Sequence, residues 1–380
     1  MFIIGGITNI HSQDNLDLAE MMMPIDSTNV LVSPSYYTWG ASAVKGEDGK
    51  YYLFYSRWSH GERKPDDDSM NYIFNGFAGW NKYSEIACAV SENLYGPYRH
   101  VKTILKGSGD PLRWDRFTMH NPQIKQFDGY YYLYFISNAF DSNYTINSAG
   151  AVSRESLHWL KYNCTQSIGV VKAKTIEDLL NGNYERPAAP IMRVNNVHTF
   201  EVANNPSVSR GRNGKYYMMY KSRLPNAGHM TFWMAVADKP DDVFKTIGNV
   251  LSGADMASED PCMWYDKKRK CFYAVAKYYS NSLKLAPQFG ALILISSRNG
   301  KDWKPAKHTL VSLKELMFKD GRKVELDRLE RPFVFTDEQG SPLALFAAAS
   351  IAAPAGGDVN HVDAEHNTVN VCIPLQAKSK

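Results

Sequence analysis

Cysteine is scarce in this 380-residue chain: Cys88, Cys164, Cys262, Cys271 and Cys372 are scattered, and no CxxC pair occurs. That pattern excludes a disulfide scaffold and offers no zinc knuckle. Cys262 and Cys271 flank one hairpin, and a turn at Asp266–Arg269 would set Trp264, not Cys262, opposite Cys271. Both thiols are therefore expected free. No run of about 18 apolar residues is present, so no helix is expected to span a membrane. Neither sign of charge dominates: 43 Lys and Arg stand against 39 Asp and Glu, a net +4. This predicts no nucleic-acid footprint and no acidic tail. A Walker loop, HExxH and GxSxG are all missing, and Gly5-Gly6 is no nucleotide loop.

What the chain has instead is aromatic residues, 23 Tyr, 17 Phe and 8 Trp, which suit half-buried strands and also make stacking platforms for sugars. They recur in a repeated phrase. It reads WGASAVKGEDGKYYLFYSRW from Trp39, HNPQIKQFDGYYYLYFISN from His120 and NNPSVSRGRNGKYYMMYKSR from Asn204. It returns as EDPCMWYDKKRKCFYAVAKYY from Glu259 and ERPFVFTDEQGSPLALFAAAS from Glu330. Each phrase predicts a hairpin, with Asp48-Gly49, Asp128-Gly129 and Asn213-Gly214 supplying the left-handed turn positions. Pro122, Pro206, Pro261 and Pro332 are expected at the first residues of their strands, where a missing N–H costs least.

Third strands are expected from Ser84, Ser148, Met230, Phe289 and Thr368, with only Lys174–Gly182 reading as a short helix. Five similar all-β units predict a five-bladed β-propeller, an architecture that hides sheet edges by radial repetition. A β-sandwich explains the alternation but not the recurring phrase. The expected organisation is an N-terminal extension over 1–29, a possible signal-peptide remnant, and a propeller domain over 30–375. The opening MFIIGGITNIHSQ is apolar then polar without a basic start, and reads as such a stub or as a loose terminus. A secreted or periplasmic location is the expectation.

In a propeller the innermost strands line a central channel, so equivalent positions of separate blades meet at one end of it. The residues around each repeated Pro, with the exits of second strands and starts of third strands, form the candidate site. They comprise Trp39, Arg57, Trp58, Glu85, His120, Asn121, Glu201, Asn205, Lys221, Arg223, Glu259, Asp260, Lys277, Glu330 and Arg331. Taken singly, an Asn before Pro is a turn former, a strand-end Lys is solvated, and a lone His is structural. Taken together they converge. Glu259 and Glu330 have the strongest claim as acid–base groups, because adjacent Asp260 raises a carboxyl pKa while adjacent Arg331 lowers one.

On these residues the chain resembles the five-bladed glycoside hydrolases of families 43, 62, 32, 68 and 117. The likeness rests on the DG-aromatic hairpins and on Asn121-Pro122, Glu259-Asp260-Pro261 and Glu330-Arg331-Pro332, and covers nearly all of 30–375. It implies acids on innermost strands flanking a glycosidic bond, with Glu259, Asp260 and Glu330 matching by motif and His120 by place, since some family 117-like members use a His as the acid. The first-blade position, where family 43 carries a base Asp before Pro, reads Trp39-Gly40-Ala41 here.

The resemblance implies an exo-acting hydrolase that cleaves a terminal sugar from an oligosaccharide or polysaccharide, and the separation of the blades favours inversion. The missing first-blade acid keeps a non-catalytic carbohydrate-binding propeller as the alternative. No cofactor is expected, although His361-Val-Asp-Ala-Glu-His366 offers ligands for a divalent cation or forms a solvated loop. The partner is a carbohydrate, with no nucleic acid. A neutral sugar is the expectation; Arg57, Lys221, Arg223, Lys277 and Arg331 make an acidic or sulfated one the alternative.

Overall fold

The computed structural model describes residues 15–61, 73–145, 153–197, 200–225, 228–351 and 368–377. Residues 15–29 include two short helical turns, α1 (Leu18–Met21) and a 3-10 turn at Ser27–Asn29, and lead into a two-residue strand, β1 (Val30–Leu31). Four four-stranded antiparallel blades follow. Blade I is β2 (Tyr36–Lys45), β3 (Tyr51–Ser59), β4 (Glu85–Ser91) and β5 (Arg99–Leu105). Blade II is β6 (Met119–Phe127), β7 (Tyr130–Ser137), β8 (Ser167–Ala173) and β9 (Met192–Arg193). Blade III is β10 (Phe200–Arg210), β11 (Tyr216–Arg223), β12 (Met230–Ala237) and β13 (Lys245–Val250). Blade IV is β14 (Ser258–Asp266), β15 (Cys271–Tyr278), β16 (Leu292–Ser297) and β17 (Lys304–Ser312).

Blade V takes strands from both ends of the chain. A short strand β18 (Glu315–Met317) pairs with the start of the long inner strand β19 (Lys323–Thr336). β20 (Pro342–Ile351) and β21 (Thr368–Pro374) then follow, and β1 adds antiparallel to β21 as the outermost strand. The fold is a five-bladed β-propeller closed by its N-terminal strand, as the repeats imply. The turn chemistry explains the hairpins. Asp128 and Gly129 both take positive φ, 49° and 77°, and connect the paired residues Phe127 and Tyr130 by a two-residue turn.

Between blades, aromatic and aliphatic faces interleave. Tyr132, Tyr134 and Ile136 of blade II meet Met218, Tyr220 and Trp233 of blade III, all buried. Burial of such side chains contributes roughly 1.5–3 kcal/mol each.

Each inner strand is broken by a bulge at one equivalent place. The register shifts between Trp39 and Ser42, His120 and Gln123, Asn204 and Ser207, Glu259 and Cys262, and Glu330 and Phe333. The central residue is left-handed in all five: Gly40 (55°), Asn121 (52°), Asn205 (52°), Asp260 (60°) and Arg331 (53°). The prolines therefore lie inside the strands, not at their first residues as expected. A bulge frees the residue from ladder pairing, which removes the demand for its N–H.

Two residues on, side chains tie each blade to the next. Ser42 Oγ accepts from Ile124 N, Gln123 Oε1 from Val208 N, Ser207 Oγ from Met263 N, and Cys262 Sγ from Val334 N. The fifth equivalent, Phe333, has no acceptor to offer. There Asn370 of β21 accepts from Ala41 N, and Thr368 bonds Thr38.

Two further expectations are corrected. The third strand of blade II is β8, not the segment from Ser148. Arg154–Asn163 is helix α3, capped by Ser153, with Glu155 in its first turn and Lys161 in its last. The alternation Leu157-His158-Trp159 mimics a strand. In blade IV the turn spans four residues, so Cys271 faces Asp266 and Cys262 faces Val275. Both cysteines are free and buried.

Candidate active site at the mouth of the channel

The bulged inner strands deliver their central side chains to one end of the channel, where a cavity of about 420 Å³ opens. Its floor is a chain of hydrogen bonds among the left-handed residues. Asn121 Nδ2 donates to Asn205 Oδ1 at 2.7 Å, and Asn205 Nδ2 donates to Asp260 Oδ1 at 2.6 Å. Asp260 Oδ2 in turn accepts from Arg331 N at 3.2 Å. Gly40, in blade I, contributes no side chain. A Cβ there would stand 3.0 Å from Asn121 Oδ1 and 3.4 Å from Arg331 Cγ and Nε, so the Arg331 side chain borders the space left vacant.

Glu259 and Glu330 stand on adjacent blades, one residue before the left-handed position. Lys277 Nζ bridges them, at 2.8 Å to Glu259 Oε1 and 2.5 Å to Glu330 Oε1, so the two oxygens are at most 5.3 Å apart. Lys221 Nζ adds a second contact to Glu259 at 3.0 Å. The two carboxyls are thereby driven apart in acidity. Burial opposes ionisation of Glu259, but the Lys221 and Lys277 ammoniums outweigh it and hold the group well below the usual carboxylate range. Burial also lifts Glu330, the negative charges of Asp260 and Glu259 lift it further, and its share of Lys277 does not offset them. Both lysines stay protonated: burial lowers them, but the carboxylates raise them above the ordinary lysine value.

One wall is aromatic. Trp39 and Trp58 come from the first hairpin; Phe77 and Trp80 come from the β3–β4 connection, where Trp80 opens the turn α2 (Trp80–Tyr83). Trp58 Nε1 donates to Gly76 O, and Asn81 Nδ2 donates to Trp159 O of α3, which fixes this connection over the channel. Trp80 stacks on His120 with ring centroids 4.9 Å apart, and Trp58 meets the same imidazole edge-on at 5.5 Å. His120 Nδ1 bonds Ser84 Oγ at 2.8 Å. Burial, with the Arg331 charge added, pushes His120 far below the ordinary imidazole value, so the ring is neutral. Tyr279, Phe289, Lys314, Asp327 and Arg328 also line the cavity.

Eleven of the fifteen expected site residues line this cavity: Trp39, Trp58, His120, Asn121, Asn205, Lys221, Glu259, Asp260, Lys277, Glu330 and Arg331. Arg57, Glu85, Glu201 and Arg223 do not. Arg57 Nε pairs with Glu85 at 2.8 Å across two strands of blade I, and Lys106 joins Glu85 at 2.9 Å. Arg223 Nε pairs with Glu201 within blade III at 2.5 Å. Alternation explains the first case, since Arg57 points to the opposite face from Trp58. In the second, Arg223 is one alternation beyond Lys221 and farther from the floor.

Among the lining residues not anticipated, Phe77, Trp80, Tyr279, Phe289, Lys314, Asp327 and Arg328 come from blade connections or from the first half of β19. Phe77 and Trp80 carried a faint signal, two large aromatics in a stretch without alternation. Among the described residues no three His, Cys, Asp or Glu converge as for a metal ion; His361–His366 lies outside the described residues.

No protein-family model matches the sequence, and no curated protein matches it either. Solved structures do resemble the fold. Zg3597, a family 117 glycoside hydrolase of the marine bacterium Zobellia galactanivorans, has TM-score 0.60 at 14% identity, over 93% of this chain and 89% of its own. The catalytic domain of a family 62 α-L-arabinofuranosidase of Coprinopsis cinerea gives 0.57 at 10%, over 94% and 98%. An α-L-arabinofuranosidase of Lactobacillus brevis gives 0.55 at 11%, over 94% of each chain. No long apolar helix fits a membrane span among the described residues. The chain thus carries the five-bladed propeller fold that glycoside hydrolases of families 117, 43 and 62 share.

Proposed function

We propose that the protein is an exo-acting glycoside hydrolase that removes a terminal sugar in the axial cavity. The carrying observation is the carboxyl pair bridged by Lys277, whose acidities are driven apart: burial and the charges of Asp260 and Glu259 raise Glu330, while the Lys221 and Lys277 ammoniums hold Glu259 low. That is the division of labour glycoside hydrolysis needs, an acid for the leaving oxygen and an anion opposite it. The aromatic wall offers flat apolar faces for a sugar ring, and the asparagines and Asp260 on the floor offer polar partners for hydroxyls. Side walls from all five blades suit a chain end better than a chain passing through.

Glu330 would protonate the glycosidic oxygen as the bond to the anomeric carbon breaks. Glu259 would then form a bond to that carbon, which water later breaks as Glu330 takes up the water's proton. The nearest oxygens of Glu259 and Glu330, bridged by Lys277, lie at most 5.3 Å apart, below the about 6.5–9.5 Å that separates the carboxyls of inverting pairs. This closeness favours retention over the inversion expected from blade separation. The test is hydrolysis of a panel of aryl glycosides and defined oligosaccharides, with the first-formed anomer read by proton NMR. Glu330→Gln and Glu259→Gln should each lower kcat by about 100-fold or more. Unchanged turnover in both would sink the assignment, and the inverted anomer would reassign the role of Glu259.

One observation favours a second reading, a carbohydrate-binding propeller without catalysis. The first-blade position is Gly40, bordered by Arg331, and no carboxylate stands there. This reading requires sugar binding by calorimetry with no reducing sugar released on long incubation.

A secreted or periplasmic location belongs to the same proposal, because polymeric glycans are met outside the cytoplasm. Fractionation of the native host, with the protein followed by antibody, tests it.

A further inference from the structure

The cations around the cavity are not equally matched by anions. Lys221 and Lys277 are spent on Glu259 and Glu330, and Arg328 pairs with Asp327 at 3.3 Å. Lys314 and Arg331 are different. Lys314 Nζ donates to the backbone carbonyl of Asp327 at 3.1 Å and joins no carboxylate among the described residues. Its stem is nonetheless held: a Cβ at Gly290 would lie 3.1 Å from Lys314 Cδ, and Lys314 N donates to Gln288 Oε1 at 2.7 Å. A lysine seated between blades IV and V, lining the cavity and without a counter-ion among the described residues, offers a positive charge to a ligand.

Arg331 adds to it from the floor. Its side chain is 8% exposed, and Nε and Nη1 find no hydrogen-bond partner among the described residues. The nearest carboxylate oxygen, Asp260 Oδ1, is 3.5 Å from Nη1 and already accepts from Asn205. A buried charge with unmet donors is costly unless something supplies negative potential. Arg57 and Arg223, the other cations that the sequence suggested for an acidic substrate, lie outside the cavity and are neutralised by Glu85 and Glu201.

We propose that the terminal sugar bound in this cavity carries a negative group, a carboxylate or a sulfate, and that Lys314 is the residue that contacts it, with Arg331 supplying positive potential from beneath. The proposal rests on the sugar pocket argued above and adds the class of sugar. It also makes Lys314 a specificity residue, since a neutral ring leaves its ammonium without an anion.

The experiment is calorimetric titration of matched monosaccharides: galactose, galacturonate and galactose 6-sulfate, then glucose and glucuronate. It is run on the wild-type chain and on Lys314→Ala, whose folding is checked by circular dichroism. The acidic or sulfated member of a pair should bind about tenfold or more tighter than its neutral parent. The gap should narrow to about threefold or less in Lys314→Ala, and should shrink in wild type between about 50 and 500 mM salt. Galacturonate against galactose 6-sulfate distinguishes the two anionic groups. A neutral sugar that binds as tightly as its acidic partner, or a gap that survives Lys314→Ala, overturns the proposal while the sugar pocket stands. Should Lys314→Ala misfold, Lys314→Gln takes its place and the same comparison decides. Binding of none of these sugars overturns the charge preference and the sugar pocket together.

Discussion

Glu330 shows what one side chain's surroundings impose. Burial and two neighbouring negative charges raise its pKa, while Glu259 is held far down by its lysines. A general acid works only while protonated, so activity should fall as pH rises through the raised Glu330 value and should persist far into the acid range, where Glu259 stays ionised. A kcat/KM profile across pH checks this. Lys277→Met removes the cation that lowers both groups, so both limbs of the profile should move to higher pH.

Gly40 makes a second residue-scale prediction. Its φ of 55° and the 3.0 Å approach of Asn121 Oδ1 leave no easy place for a methyl group. Gly40→Ala should cost about 1–3 kcal/mol in urea unfolding. At this scale the sequence was informative where the backbone marks the position: Glu259, Asp260, Glu330, Asn121 and Asn205 all sit beside the repeated Pro. It failed for Arg57 and Glu201, whose facing depends on the alternation and on distance from the bulge rather than on residue type.

Elements carry the next layer. Every blade boundary but one is tied by an inner-strand side chain to the following strand's N–H, and Ser207 does so while also accepting from Gln123 Nε2. Ser207→Ala would strand a buried N–H and a buried amide, at a cost of about 1–3 kcal/mol, measurable as a lowered urea midpoint with unchanged m-value. The β3–β4 connection behaves differently, since it supplies aromatic surface more than ties. Trp80→Ala removes the ring stacked on His120, so KM for any substrate found should rise about tenfold or more, as expected for a ring worth one stacking contact and its buried area. The hairpins were legible because their turn dipeptides and aromatic alternation are local. Helix α3 was not, because the alternation Leu157-His158-Trp159 fits a short strand, and only the Ser153 cap and the charge order along the helix reveal it.

At the scale of the molecule, the ring must be closed across the chain's two ends. β1 pairs with β21, and the buried Leu31 packs in the cluster that joins blades I, IV and V. Leu31→Ala should lower stability by about 2 kcal/mol or more, read by urea unfolding, without altering the cavity. The five-fold repetition made the architecture readable from the sequence, whereas the closure rests on a two-residue strand with no pattern to announce it. The same repetition has a consequence for composition. Five left-handed residues encircle the axis, and L-residues tolerate that conformation best as Gly, Asn or Asp. Four of the five obey, so the backbone itself restricts the mouth of the channel to a small alphabet in which amides and carboxylates are the side chains on offer. Any propeller with this bulge meets evolution already stocked with hydrogen-bonding groups around a pit, and Arg331 marks the one place where this chain departs from that inheritance.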